Sequence, residues 1–175
     1  MPEAEEEIFF EIDNRIKKLL PEIKFVDVFN NQFLRSNGMG PDGRKENIPP
    51  YPCVFIQIVP EEFNDGLRGF QQTTFTIRFH IGYWSEKDRD FTIFKIKRAI
   101  YKTFHKWKPS HNNNWNSLLR RAETLSYDYD NVNVYIMDFT TANSDFDVDR
   151  IGTSRVLINP TIIDDVSFTQ SQINL

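Results

Sequence analysis

The residues best suited to chemistry fall into a few short constellations. Gly38-Met39-Gly40-Pro41-Asp42-Gly43 spells G-x-G-x-x-G, a turn that brings backbone close to a dinucleotide pyrophosphate when a helix N-terminus follows at once. Here Arg44-Lys45-Glu46-Asn47 runs into Pro49-Pro50-Tyr51-Pro52, which forbids that helix, so the segment reads as loop. Asp145, Asp147 and Asp149 match the opening of a calcium-binding loop, where alternating carboxylates converge on one ion. That loop needs glycine at its sixth position and glutamate at its twelfth, and Arg150 and Val156 stand there. A solvated acidic stretch is the simpler reading.

His80, His105 and His111 fall in a strand, at a helix end and in an Asn-rich loop, at no spacing that suits zinc, and a single cysteine offers no thiolate cluster. Cys53 lies in the apolar run Cys53-Val54-Phe55-Ile56 and is expected to be a small buried hydrophobe without a disulfide, which favours a reducing compartment. Ser110 and His111 are sequence neighbours whose side chains point apart. Asp128 and Asp130 flank a turn, where Asp is common for backbone reasons. We therefore expect no catalytic residue, no cofactor and no metal, and a protein that is not an enzyme.

Any such group must be positioned by a globular body. The chain has 175 residues, 39% hydrophobic and 14% aromatic with sixteen Phe, enough for one core. The N-terminus has no basic and apolar leader pattern, no apolar run is long enough to cross a membrane, and Asn159-Pro160-Thr161 is barred from glycosylation by its proline. Net charge is −4, but it is segregated along the chain. Residues 1–13 hold six acids and no Lys or Arg, residues 86–121 hold ten Lys/Arg against three acids, and residues 122–175 hold nine acids and two arginines. Such blocks are commonly solvated faces. They are also what two complementary surfaces need to meet head to tail between copies and close a ring.

Residues 3–20 read as a helix, with Ile8, Ile12, Ile16 and Leu19/Leu20 on one face, acids first, bases last and Pro21 closing it. Residues 23–29 read as a strand. Residues 30–52, rich in Gly and Pro, read as a long loop. Cys53 to Val59 reads as a strand covered on both faces and ended by Pro60. After Asn64-Asp65-Gly66, residues 71–82 alternate Phe75, Ile77, Phe79 and Ile81 with Thr74, Thr76, Arg78 and His80, the period of a strand with one buried face. Residues 88–106 switch to helical period with a basic face. Strands follow at 118–128 and 132–141. In the second, Val132, Val134, Ile136 and Asp138 share one parity and Asn133, Tyr135, Met137 and Phe139 the other, so the buried face stays open. The expected fold is α+β: a mainly antiparallel sheet of four to five strands packed by two helices, with a body at 1–141 and a C-terminal arm at 142–175 whose one apolar stretch is Val156-Leu157-Ile158 and which orders on contact with neighbours. The basic helix with Phe94, Tyr101 and Trp107 also suggests nucleic-acid contact, against which stand the net acidity and the lack of an aromatic RNA-binding signature.

An N-terminal amphipathic helix, the strand entering "YPCVFIQIV", a glycine-containing turn, the strand "QQTTFTIRFHIGYW" and the helix "DRDFTIFKIKRAIYKTFHKW" come in an order that resembles the tail-terminator and tail-completion (neck) proteins of tailed bacteriophages. The resemblance covers roughly residues 5–140 as a pattern of elements. It implies a structural virion protein forming a homo-oligomeric ring at the head-tail junction, with portal or connector and tail-tube proteins as neighbours and DNA passing through. Arg35, Arg44 and Lys45 in the loop and Asp145, Asp147 and Asp149 in the arm are then the candidate contacts. The alternative from another class is a small-ligand-binding or enzymatic α+β domain with a pocket under the 30–52 loop. A ferredoxin-like nucleic-acid binder is a third reading.

Overall fold

The computed structural model describes residues 4–31, 33, 50–66, 70–84, 91–110, 114–126 and 132–145, for Asp145 the backbone alone. Helix α1 spans Ala4–Leu19. Its Ile8, Ile12 and Ile16 are fully buried, each contributing roughly 1.5–3 kcal/mol of apolar burial. Glu5, Glu6 and Glu7 in its first turn and Lys17 and Lys18 in its last complement the partial charges at the helix ends. Strand β1 (Phe25–Val28), β2 (Cys53–Asp65) and β3 (Gln71–Trp84) follow, then helix α2 (Thr92–Phe104), β4 (Leu119–Ser126) and β5 (Val132–Asp145). The fold is thus α+β, with one five-stranded sheet in the order β1-β2-β3-β5-β4. β1 runs parallel to β2 and the other three pairings are antiparallel.

Both helices pack on one face of the sheet. α1 lies over β1 and β2. α2 lies toward the other end, where Phe94 meets Tyr135 edge to face and Lys97 pairs with Glu123 of β4. Arg15 ties the helices together by donating from Nε to the Thr103 carbonyl at 3.1 Å while its guanidinium sits 5.0 Å over the Trp107 ring. Between helices and sheet lies the main core, which includes Ile77, Phe79, Ile81, Phe104, Met137 and Phe139. α2 ends at Phe104 rather than 106, because Lys106 turns to a left-handed φ of 63° and donates its N–H to Leu118.

The mixed parity of β5 has a simple resolution. Tyr135, Met137 and Phe139 enter the main core, while Val132 and Val134 join Phe33, Cys53 and Phe55 in a second cluster on the opposite face. Both parities are buried, on different faces. Gly82 sits against this second cluster, where an added Cβ would overlap the Phe33 ring and lie 2.8 Å from Cys53 Sγ. Gly82→Ala is expected to cost about 1–3 kcal/mol by overpacking, read as a lower urea midpoint at unchanged slope.

Strand boundaries also differ from the sequence reading, most at the ends of β2 and β5. β2 continues through Pro60 to Asp65. Lys24 and Phe29 donate to the carbonyls of Pro52 and Ile56, so the even-numbered residues of β2 turn their backbone toward the β1 side. β1 stops level with Ile56, so the N–H that proline lacks would have pointed to a side that carries no strand among the described residues, a position in a sheet where proline is tolerated. A bulge follows directly between Pro60 and Glu62. At the other end of the chain, β5 runs through 142–145, residues the sequence reading gave to the arm.

Candidate functional site

Among the described residues, those singled out for chemistry do not converge. Cys53 is fully buried, and desolvation pushes its thiol up to about 12 despite a backbone hydrogen bond from Gly82. It is an inert core residue at neutral pH. His105 caps the end of α2, where its Nδ1 accepts from the Arg120 N–H at 3.3 Å. The Ser110 N–H donates to Glu11 Oε2 at 2.9 Å. The G-x-G-x-x-G segment, His111, Asp128 and Asp130 lie outside the described residues, as do the candidate contacts Arg35, Arg44, Lys45, Asp147 and Asp149. Asp145 ends β5. The described residues contain no group of three or more His, Cys, Asp or Glu that could hold a metal ion, and no helix long and apolar enough to cross a membrane. At the two described ends of the 30–52 segment, Phe33 and Tyr51 pack into the second apolar cluster with Phe55.

The sheet face turned away from the helices carries a polar row that sequence reading missed. Arg78 of β3 and Asp138 of β5 are directly opposite and joined by two hydrogen bonds of 2.8 and 2.9 Å, the paired geometry that suits a planar guanidinium and a carboxylate. Their hydrogen bond and charge attraction raise the Arg78 pKa further. Thr76 donates to Glu61 at 2.6 Å. His80 is stacked on Phe29 with ring centroids 3.7 Å apart, and its Nε2 lies 3.2 Å from Gln57 Oε1. Burial and the Arg78 charge lower its pKa to about 4, against a smaller opposing pull from Asp138. The signal was present in sequence as charged residues of the same parity as threonines in two long strands. These contacts satisfy one another and knit β2, β3 and β5 together.

What the fold does bring together is charge. Acids and bases distant in sequence stand at two opposite edges of the sheet, roughly 19 Å apart at ~4.8 Å per strand. At the β1–β2 edge stand Glu5 and Glu6 of α1, Asp27 of β1 and Glu61 and Glu62 of β2, and the described stretches 4–14, 25–28 and 53–65 contain no Lys or Arg. At the β4 edge stand Arg120 and Arg121, with Lys97 and Arg98 of α2 beside them. Arg120 stacks 4.2 Å over Tyr101 and Lys97 is held by Glu123, which fixes both cations along this side. Each edge also exposes apolar anchors among its charges: Phe10, Val28 and Phe63 on the acidic side, Phe94 and Leu119 on the basic side. Apolar anchors within a charged rim are the composition of a protein interface.

These surfaces lie on opposite sides of one subunit and do not overlap. Contact between unlike surfaces of identical copies is heterologous, and it closes into a ring when the rotation per copy allows. A scan of the chain against protein-family models gave no match, and a search of curated proteins gave none either.

Proposed function

We propose that this chain is a non-enzymatic structural subunit that assembles head to tail into a homo-oligomeric ring, of the tail-terminator or tail-completion type at the head-tail junction of a tailed bacteriophage. The observation that carries the reading is the acidic β1–β2 edge set opposite the basic β4 edge. The order helix, strand, hairpin, helix, strands is the pattern on which the resemblance to the phage proteins rests. In this reading the neighbours are other copies, a portal or connector ring and tail-tube proteins, DNA passes through the ring, and the protein resides in the virion.

The test is the native mass of the purified protein by light scattering across concentration and salt, with negative-stain microscopy. Closed oligomers that dissociate as ionic strength rises from about 0.05 to 0.5 M are expected, since exposed charges are screened beyond ~3–4 Å at the higher value. A persistent monomer that gains thermal stability from a small metabolite would overturn this reading in favour of the ligand-binding domain.

A further inference from the structure

The acidic edge has a second feature that charge alone does not use. Beside β1, a groove of about 400 Å³ opens between α1 and the sheet, floored by Ile56 and Ile58, walled by Phe9, Phe10 and Val28, with Glu5 and Glu6 at its rim. β1 ends level with Ile56, so β2 runs on from Gln57 to Asp65 paired to β3 on one side but with no strand on its β1 side among the described residues. By the alternation set by Pro52 and Ile56, Ile58 turns both its N–H and its carbonyl outward here, while Pro60 can offer only a carbonyl. The structure thus presents an apolar groove beside a short open strand edge, the two parts of a strand-addition site.

We propose that Arg155-Val156-Leu157-Ile158 of a second copy occupies this site, adding as a strand along β2 with Leu157 in the groove, Arg155 on the same face toward the Glu5 and Glu6 rim, and Val156 and Ile158 on the opposite face. The proposal rests on the head-to-tail reading above. Three observations select this occupant. First, the segment is apolar and β-branched, the composition of an added strand, and Arg155 provides the cation that the Glu5 and Glu6 rim calls for. Second, residues 146–175 lead away from β5 at the end of the sheet where β2 overhangs, since Asp65, Gln71 and Asp145 are in register. Third, β5 neighbours β4, so the segment departs from the basic half of one copy, the half that faces the acidic edge of the next. β4 and the added strand then separate β5 from the neighbour's β2, roughly 14 Å, and residues 146–155 reach roughly 33 Å when extended. The segment itself lies outside the described residues.

The test uses the full chain. Phe10 is about half exposed at the groove, and Cys53 is buried and unreactive, so introduced thiols report alone. Phe10→Cys and Leu157→Cys single variants, mixed and oxidised, are expected to give a disulfide-linked heterodimer, and the double variant a covalent ladder. An intramolecular disulfide confined to monomer, or no bond while native mass shows rings, would overturn the inference and leave the ring reading standing. Monomeric mass throughout would overturn both. As a check independent of introduced cysteines, the Ile58 amide of the assembled wild type should exchange with deuterium at least tenfold more slowly than in Leu157→Pro. Equal rates would count against the added strand.

Discussion

Phe79→Ala is expected to lower the free energy of unfolding by about 3–5 kcal/mol. Phe79 is fully buried at the middle of β3, with its ring 4.9 Å from Phe104 of α2 and 5.3 Å from Phe139 of β5. Truncation removes the contacts that join α2 to the two central strands and leaves a cavity that a sheet on one side and a helix on the other cannot collapse to fill. Against a typical domain stability of about 5–15 kcal/mol, that is a large fraction. Urea denaturation should show the midpoint falling with little change in slope. Phe79→Leu, which keeps most of the volume, should cost roughly 1–1.5 kcal/mol. Phe63→Ala is the control: Phe63 is 63% exposed, so its loss should change monomer stability by about 0.5 kcal/mol or less while weakening assembly through the acidic edge. A Phe79→Ala cost no larger than that control would contradict the placement of Phe79 in the core.

The second large effect is a pH dependence carried by His80. Its pKa is about 4 in the folded protein against an ordinary 6.5, because burial beneath Phe29 and the nearby Arg78 charge disfavour the imidazolium. As pH falls through 6.5 the unfolded chain takes up a proton that the folded chain refuses. Stability therefore rises with pH across this window and is lost as pH drops from 6.5 toward 4. Between pH 7 and pH 5 the loss should be roughly 2 kcal/mol, before most carboxylates begin to protonate. His80→Gln removes the titration, so the variant should lose roughly 2 kcal/mol less than wild type over the same interval, whatever its stability at pH 7. Parallel curves for wild type and variant would show that His80 is not desolvated in this way.

How much of this was legible in the sequence differed from element to element. α1 and β3 were plain because burial is one-sided and the periods are clean: Ile8, Ile12 and Ile16 in one, Phe75, Ile77, Phe79 and Ile81 in the other. β2 was cut short at Pro60 because proline normally ends a strand. That rule assumes a partner waiting for the missing N–H, and the last β1–β2 pair, Val28 with Ile56, falls four residues short of Pro60. The buried face of β5 could not be assigned because pattern reading supposes a single dry face, whereas Phe33 and Phe55 make the second face dry near Val134. The Arg78–Asp138 pair needed the β3–β5 register, which no local pattern supplies. The charge blocks showed only part of the edge charge, since Asp27, Glu61 and Glu62 belong to none of them. The placement of acids and bases on opposite edges follows only from the strand order, in which β5, last in the chain, inserts between β3 and β4 and leaves β4 outermost.

The central claim is that two unlike edges of one subunit bind each other, and complementation of half-dead variants tests it directly. In Asp27→Lys with Glu62→Lys the acidic edge is reversed, and in Arg98→Glu with Arg121→Glu the basic edge is. All four residues are exposed, so the fold should survive. Native mass by light scattering should find the two variants less associated than wild type at equal concentration. An equimolar mixture should regain oligomers in which the two variants alternate, because the intact edges match each other and the two reversed edges, Lys against Glu, match each other as well. Either variant alone retaining the wild-type oligomer mass would contradict the account, as would a mixture that shows no association beyond that of the separate variants.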